Sequence, residues 1–266
     1  MGKGLLRTPI SYYGGKQKLA SKIVSVMPDH GLYAEPFIGG AAVFFAKPPS
    51  RVEVINDTNS ELINFYKICK HKFHLLKSKV DVTLHSREQH DDAHIIYNKP
   101  HLFDEIERAW AVWVLSSQSF SSQLDNNWGY DIKKNSTSLK ISNKKQAFVE
   151  DLALRLQTVQ IECADALYII QSRDRPDSFF YCDPPYYNSD CGHYDGYSLQ
   201  DFENLLKLLG SIKGKFLLSS YPSDLLAQYT KEYGWLNWSI KQNVTVNNKS
   251  GKSKSKVEML TANYPI

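Results

Sequence analysis

Residues 183–186 have the sequence Asp-Pro-Pro-Tyr and directly follow an apolar segment, Ser178 to Cys182, that predicts a buried strand. In open α/β sheets ligands bind at the carboxyl ends of the strands, so Asp183 stands where a carboxylate can take part in chemistry. The two prolines fix φ and remove two N–H donors, which stiffens the loop and leaves its carbonyl oxygens with little local competition. The pattern therefore indicates a rigid set of hydrogen-bond acceptors beside an aromatic ring.

These acceptors suit the amino group of an aromatic ring, which is a poor nucleophile because its lone pair is delocalised. Asp183 supplies one acceptor and the Pro184 carbonyl the other, so that both N–H groups are held and the lone pair is drawn out of the ring plane. Tyr186 offers a face for stacking. One reaction that such an oriented amino group can undergo is methylation by a sulfonium compound. Its rate would depend mainly on positioning and charge complementarity. Taken alone, the four residues also fit a rigid strand-ending turn with no catalytic role.

Two further blocks precede this one, at residues 12–16 (Tyr-Tyr-Gly-Gly-Lys) and 35–41 (Glu-Pro-Phe-Ile-Gly-Gly-Ala). In this order and spacing, the three blocks resemble the Dam-type, adenine-specific DNA methyltransferases; the resemblance covers residues 8–66 and 155–266 and is weaker between them. It implies transfer of a methyl group from S-adenosylmethionine to the exocyclic amino group (N6) of an adenine that is flipped out of double-stranded DNA. The catalytic residues that it implies are Asp183, Pro184 and Tyr186.

The resemblance also implies a set of residues around the cofactor. Phe37 would form a wall, two glycines would allow close backbone approach, and Asp57, at the end of the second strand, fits the ribose hydroxyls or nearby atoms. Taken singly, these residues also fit simpler roles: turn glycines, a carboxylate at a helix N-terminus, a solvated helix lysine and core tyrosines. The predicted cofactor-binding residues are Tyr12, which replaces the family's commoner Trp, Lys16, Glu35, Phe37, Gly39, Gly40, Asp57, Asp165 and Asp183.

The elements that must position these residues alternate between strand and helix in the first part of the chain, an order that predicts a parallel sheet with crossover helices. Thr58 is the expected N-cap of the third helix, with Glu61 completing a capping box. We expect an α/β fold: a Rossmann-like methyltransferase sheet, mostly parallel with an antiparallel C-terminal strand, and an inserted, largely helical target-recognition domain. Predicted strands cover 32–35, 51–55, 159–163, 178–182, 215–219 and 257–262, and predicted helices cover 16–26, 41–46, 58–70, 105–115 and 199–209.

The middle of the chain differs in composition, because residues 71–146 are rich in His, Ser, Asn and Lys and contain three of the five Trp. Such a surface suits hydrogen bonding and stacking with bases, although an inserted subdomain with its own small core fits as well. We expect residues 1–66 and 151–266 to form the catalytic domain and 67–150 the target-recognition domain. This segment does not look like that of the GATC-reading members, so that specificity is not carried over. Candidate contacts with bases or phosphates are Gln118, Ser119, Ser122, Asn126 and Asn127.

The charge of the chain is compatible with a nucleic-acid partner. The net charge is +4 and the pI about 8.7, which permits such a partner without proving one. Lys249, Lys252 and Lys254 lie in a stretch rich in Ser, Gly and Asn, which fits either a solvated loop or a loop that contacts phosphates. The expected partner is double-stranded DNA, a separately encoded restriction endonuclease is a further candidate, and a monomer is the simplest assumption.

Several other classes of protein fit less well. With 266 residues, of which 42% are apolar, the chain can bury a core, which argues against global disorder. Two histidine pairs with helical spacing lack a third ligand, so no metal site is expected. Residues 1–9 lack the apolar core of a signal peptide, and no apolar run approaches the length of a membrane span. We therefore expect a protein without a membrane partner, in the cytoplasm of a bacterial or phage-infected cell.

Two other functions stay open at the level of sequence. One is a methyltransferase that acts on another amine, such as adenine in RNA or cytosine in DNA; Asp183 favours adenine, whereas Ser or Asn at this position would favour some of the others. The second is a non-catalytic DNA-binding relative, and the three intact sequence blocks argue against it.

Overall fold

The computed structural model describes residues 6–188, 197–243 and 255–266. The strands in these ranges are β1 (Leu32–Glu35), β2 (Val52–Asn56), β3 (Gln160–Glu162), β4 (Ser178–Cys182), β5 (Lys215–Ser220), β6 (Leu236–Asn243) and β7 (Ser255–Ala262). They form one seven-stranded sheet in the order β3-β2-β1-β4-β5-β7-β6. The pairs β1–β4, β4–β5 and β2–β3 are parallel, whereas β7 is antiparallel to both of its neighbours. The predicted Rossmann-like α/β class, with its antiparallel C-terminal strand, is therefore confirmed.

Helices connect the strands and fill the middle of the chain. In the described ranges no helix is both long enough and apolar enough to cross a membrane. The α-helices are α1 (Ala20–Ser25), α2 (Ala42–Ala46), α3 (Ser60–His71), α4 (Phe73–Val82), α5 (Arg87–Asn98), α6 (Glu105–Gln118), α7 (Ser136–Ala147), α8 (Asp151–Leu156), α9 (Ala166–Arg173), α10 (Leu199–Leu209) and α11 (Asp224–Tyr233).

The chain divides into two compact units, and the first comprises residues 1–25, 38–49 and 53–164. Within it, α6 packs against α3, α4, α5 and α7. The centre of α6 is apolar and buried, with Trp113 among the largest side chains that are fully buried. The helices of the middle of the chain therefore pack around α6, together with α3. Our domain boundaries at residues 66 and 150 stay a prediction.

The second unit comprises residues 26–37, 50–52 and 165–266. It contains the strand run β1-β4-β5-β7-β6, with α9 packed against β1 and α10 against α9 and α11. All five residues of β4 are buried, which is why its sequence is apolar without the alternation of a half-exposed strand. Residues 183–186 leave this buried strand directly.

The start of α3 differs from the sequence prediction. Asn59, not Thr58, is the N-cap, because the Asn59 side chain accepts hydrogen bonds from the backbone N–H groups of Glu61 and Leu62. The Glu61 carboxylate does not complete a capping box but forms a bidentate ion pair with Arg108, at 2.6 and 2.8 Å. The prediction was wrong because a tertiary partner on α6 binds the carboxylate that local sequence assigned to the cap.

Candidate active site

In the second unit, Asp183 lies at the carboxyl end of β4 in contact with the hydroxyl group of Tyr186. The Tyr186 hydroxyl donates to Asp183 Oδ1 at 3.1 Å and lies 3.2 Å from Ser219 Oγ. The same hydroxyl hydrogen is also within reach of the carboxylate of Glu258, so the two carboxylates share it, and Glu258 accepts a further hydrogen bond from Ser219. Ser219 comes from β5 and Glu258 from β7, so neighbouring strands of the sheet bring these groups to the end of β4.

The surroundings of Tyr186 determine its protonation state. The ring is half-buried, but its hydroxyl group lies in the interior between two carboxylates. Burial, and then the negative charges of Asp183 and Glu258, raise the pKa of Tyr186 well above its ordinary value of 10.0. Tyr186 is therefore a neutral phenol at neutral pH, with one hydrogen to donate and a half-buried ring.

Tyr221 is an additional residue of this cluster that the sequence prediction did not include. Its ring meets that of Tyr186 edge-on, with centroids 4.5 Å apart and an interplanar angle of 65°. The loop after β5 is further joined to the loop after β4 by a hydrogen bond of 3.3 Å from Asn188 Nδ2 to the Pro222 carbonyl. The sequence did contain a signal for Tyr221. This residue directly follows the buried strand β5, just as Asp183 directly follows β4.

Three predicted cofactor-binding residues lie elsewhere in the second unit. Glu35 is buried at the end of β1 and accepts a hydrogen bond of 2.7 Å from the Tyr33 hydroxyl. Phe37 is half-buried, and its ring meets that of Tyr197 edge-on at 6.3 Å. Asp165 is exposed and caps α9, because its carboxylate accepts from the first backbone N–H groups of that helix at 2.9 and 3.1 Å. The cap is a structural role that the sequence did not predict for Asp165.

In the first unit, Gly39 and Gly40 of the predicted cofactor-binding set pack against Tyr12. We call the turn that contains them the glycine loop. Gly39 has φ +44°, and a Cβ atom placed on it would lie 3.2 Å from the Tyr12 ring. A Cβ atom on Gly40 would lie 2.9 Å from the Tyr12 Cβ. Both glycines are therefore required, one for its backbone conformation and both for their close approach to the tyrosine.

Asp57 holds this glycine loop in place. Its Oδ2 accepts from the Gly39 N–H at 3.1 Å, and its Oδ1 accepts from the Asn59 N–H at 3.0 Å. Tyr66 completes the arrangement by donating to the Gly39 carbonyl at 2.7 Å. Burial raises the pKa of Asp57, while the backbone N–H groups of Asn59, Gly39 and Thr58 act in the opposite direction. A carboxylate kept at this position despite its desolvation is a candidate for ligand binding.

Lys16 belongs to the interior of the first unit. Only 6% of it is exposed, and its ammonium group donates to the Gly14 carbonyl at 3.0 Å. It precedes α1, which begins at Ala20, so it is not the solvated helix lysine that the sequence also allowed. The short block at residues 12–16 is therefore a turn with an inward-facing ammonium group.

Two of the predicted DNA contacts are buried in the first unit. Gln118 has no exposed surface; its amide donates to the Leu84 carbonyl at 2.8 Å and accepts from Ser86 N–H and Trp128 Nε1, both at 3.3 Å. Ser119 Oγ is bonded to His90 Nε2 at 2.9 Å. These bonds favour a structural role for Gln118 and Ser119 over the base contacts that we predicted, because their polar groups are already satisfied inside the protein.

The remaining predicted DNA contacts differ in their exposure. Ser122 and Asn126 are half-buried, and Asn127 is exposed. The Asn126 side chain donates to Gln123 Oε1 at 2.6 Å. Lys249, Lys252 and Lys254 lie outside the residues that the structure describes.

Five aromatic and basic side chains of the first unit form a group that we call the aromatic-basic surface: Arg87, Trp128, Tyr130, Lys133 and Lys134. The rings of Trp128 and Tyr130 are stacked, with centroids 5.6 Å apart. The Arg87 guanidinium lies 4.8 Å from the Trp128 ring and 5.9 Å from the Tyr130 ring. Tyr130 is 59% exposed, and the group borders an open cavity of about 430 Å³. Stacked rings beside cations are groups that bind bases and phosphates.

Comparison with known proteins decides the family. A family profile described as D12 class N6 adenine-specific DNA methyltransferase matches residues 12–244. The chain belongs to this family. The D12 class confirms the family predicted from the three sequence blocks, and the protein is accordingly an adenine-specific DNA methyltransferase.

Curated relatives of this D12-class chain come from bacteria and a phage. The Type II methyltransferase M1.LlaDCHI of Lactococcus lactis subsp. cremoris is 27% identical, over 97% of this chain and 96% of its own. The DNA N-6-adenine-methyltransferase of Escherichia phage P1 is 26% identical, over 68% of this chain and 24% of its own length. A DNA adenine methylase of Vibrio cholerae is 26% identical, over 68% of this chain and 65% of its own. The chain thus spans nearly all of the Lactococcus relative but less than two thirds of the other two.

Proposed function

We propose that this protein methylates adenine at a specific DNA site, with S-adenosylmethionine as the methyl donor and with Asp183, Pro184 and Tyr186 at the reacting amino group. The observation that carries the proposal is the position of Asp183 at the end of the buried strand β4, with the neutral Tyr186 hydroxyl bonded to it. The two prolines that follow keep this part of the loop stiff.

The residues of the glycine loop fit S-adenosylmethionine. Tyr12 packs against Gly39 and Gly40, where side chains would collide with it, so its ring lies close to the backbone of the glycine loop. The Asp57 carboxylate, fixed by two backbone N–H groups, keeps lone pairs for the ribose hydroxyls. When bound, the cofactor supplies an electrophilic methyl group on a sulfonium. Lys16, Glu35, Phe37 and Asp165 complete the proposed cofactor-binding set.

The chain's own contribution to catalysis is the orientation of the amino group. In the proposed complex the flipped adenine donates one N–H to the Asp183 carboxylate and the other to the Pro184 carbonyl, and its ring stacks on the ring of Tyr186. These two acceptors raise the electron density on nitrogen and aim its lone pair. This lone pair would take up the methyl group, leaving a neutral thioether, and the Asp183 carboxylate, which accepts one of the N–H groups, would take up the proton that the nitrogen releases.

We place the DNA contacts of the first unit at the aromatic-basic surface, within residues 67–150 that we assign to target recognition. Arg87, Lys133 and Lys134 carry charges that suit phosphates, and Tyr130 presents an exposed ring. Asn127, Lys249, Lys252 and Lys254 stay in the proposed contact set. The type II name of the Lactococcus relative supports extending the proposal to protection of DNA against a separately encoded restriction endonuclease.

The test is to incubate the purified protein with S-adenosylmethionine and unmethylated genomic DNA, and then to sequence the DNA by a method that detects modified adenine. The expected result is N6-methyladenine in one enriched sequence motif. Scattered methylation would contradict site specificity and leave the aromatic-basic surface with phosphate contacts only. Nucleoside analysis that finds no N6-methyladenine would contradict the proposed function itself.

A further inference from the structure

Glu258 is a buried carboxylate to which the proposed reaction gives no role. It lies on β7, 6% exposed, and its Oε1 accepts hydrogen bonds from the hydroxyl groups of both Tyr186 and Ser219. Taking a carboxylate out of water is costly, so its retention beside the catalytic loop calls for a function. These contacts join the last strand of the sheet to the loop that follows β4.

The Tyr186 hydroxyl connects Glu258 with Asp183. It lies between the two carboxylates, 3.1 Å from Asp183 Oδ1 and bonded to Glu258 Oε1. The prolines stiffen the backbone of the loop, but they leave the side-chain dihedral angles of Asp183 and Tyr186 free. Hydrogen bonds to a buried partner on another strand are what can restrict these angles.

We propose that Glu258 is a positioning residue for methyl transfer: together with Ser219 it fixes the position of the Tyr186 hydroxyl, and thereby keeps the Tyr186 ring in place beside the Asp183 carboxylate. Glu258 itself does not touch the substrate. The inference rests on the proposed function, since it assigns a partner to the same catalytic loop.

A purely structural role is the competing explanation, in which Glu258 only stabilises the pairing of β7 with β5. The two explanations differ in one respect. A positioning residue acts through the Tyr186 hydroxyl, so its removal has no further effect once that hydroxyl is absent. A structural residue lowers stability whether or not residue 186 carries a hydroxyl group.

The experiment is a double-mutant cycle on the rate of a single turnover, with saturating S-adenosylmethionine and DNA. Tyr186→Phe removes the hydroxyl and keeps the ring, and Glu258→Leu removes the acceptor. We expect each to slow methyl transfer by roughly tenfold, and the double variant to be no slower than the slower single variant. The dissociation constants for cofactor and DNA should change by less than about twofold, because the lost contacts act on orientation.

Glu258→Gln provides a second, milder test in case the leucine variant fails to fold. It keeps an oxygen acceptor but loses the charge, so a loss of roughly three- to fivefold is expected, since hydrogen bonds to neutral acceptors are weaker. In the Tyr186→Phe background this loss should disappear. Thr261→Val is the matched control: Thr261 is buried on β7, the strand of Glu258, and the substitution removes its hydrogen bond of 2.7 Å to Asn237 on β6, so this variant should methylate at the wild-type rate.

Two outcomes would overturn the inference: a wild-type rate in Glu258→Leu, or losses that multiply in the double variant. Both outcomes can be distinguished from a failure of the proposed function. A wild-type protein that yields no N6-methyladenine refutes the proposed function, whereas an active wild type with either outcome above refutes only the role of Glu258.

Discussion

At the scale of single residues, the candidate site combines stiff backbone with side chains held by hydrogen bonds. Asp183 is bonded to Tyr186, and Asp57 is bonded to two backbone N–H groups. Both carboxylates are therefore oriented by short-range hydrogen bonds, which salt screens weakly. Two substitutions test these roles separately.

Asp183→Ala should abolish methyl transfer while leaving DNA binding in place. The substitution removes one of the two acceptors for the amino group, and the loss of one such group costs about 10²-fold or more in rate. The rate is measured by incorporation of labelled methyl groups and DNA binding by fluorescence anisotropy. Asp177→Ala, at an exposed aspartate paired with Arg51, is the control and should behave like the wild type. An active Asp183→Ala enzyme would refute the catalytic assignment.

Gly39→Ala should weaken binding of S-adenosylmethionine by about tenfold or more. The backbone at this position has φ +44°, and the added Cβ would press on the Tyr12 ring, so the loop must distort. Gly234→Ala is the control, because it imposes the same left-handed strain, at φ +67°, with nothing within 4 Å of the new atom. Both variants should lose about 1 kcal/mol of unfolding free energy. Calorimetry that shows equal cofactor affinity for the two variants would contradict the assignment of the glycine loop.

At the scale of elements, three histidines on or beside α5 hold the loop that follows α6. His85 is bonded to the Gly129 carbonyl at 2.9 Å, and His94 to the Asn126 carbonyl at 3.0 Å. His90, which is buried, is bonded to Ser119 Oγ. The loop that leads to the aromatic-basic surface therefore has its shape set by side chains from another element.

His90 should make this region less stable in acid. Burial, and then the charge of His94, lower the pKa of His90 from 6.5 to about 4, although Asp91 acts in the opposite direction. Between these two values the unfolded state binds more protons than the folded state, so the unfolding free energy falls as the pH is lowered from 6.5 towards 4. Urea unfolding at pH 6.5 and 4.5 measures this change. His90→Gln keeps a polar partner for Ser119, and the acid-induced loss should be smaller in this variant; an equal loss would exclude His90 as its source.

At the scale of the whole molecule, a net charge of +4 is too small to explain strong DNA binding unless the basic groups are clustered. The aromatic-basic surface is such a cluster within the described residues. Its affinity for DNA should fall as salt rises, because each phosphate contact releases counterions.

Lys133→Gln combined with Lys134→Gln should reduce the slope of log K against log salt by about two units. The loss should be similar for all DNA sequences, since phosphate contacts carry no sequence information. Lys207→Gln combined with Lys231→Gln, at two exposed lysines of the second unit, changes the net charge equally and should leave the slope nearly unchanged. Equal slopes for the two double variants would remove the aromatic-basic surface from the proposed DNA interface.

The sequence by itself predicted the bounds of β1 and β4 and the family. The apolar run of β4 and the glycine loop after β1 are local patterns, because burial on both faces favours apolar residues and a positive φ favours glycine. For this reason Asp183, Gly39 and Asp57 could be chosen as candidates from the chain alone, and the order of the three blocks predicted a Dam-type methyltransferase, which the D12-class match confirms.

Only the tertiary structure decided which polar side chains are free for a ligand. Gln118 was a predicted DNA contact, but its amide is satisfied by Leu84, Ser86 and Trp128. Glu258 was not predicted, because it is 72 residues from Tyr186 in the chain and meets it only through the pairing of β7 with β5. Local sequence specifies a residue's element, whereas burial and long-range partners, which depend on how elements pack, determine what its polar atoms do.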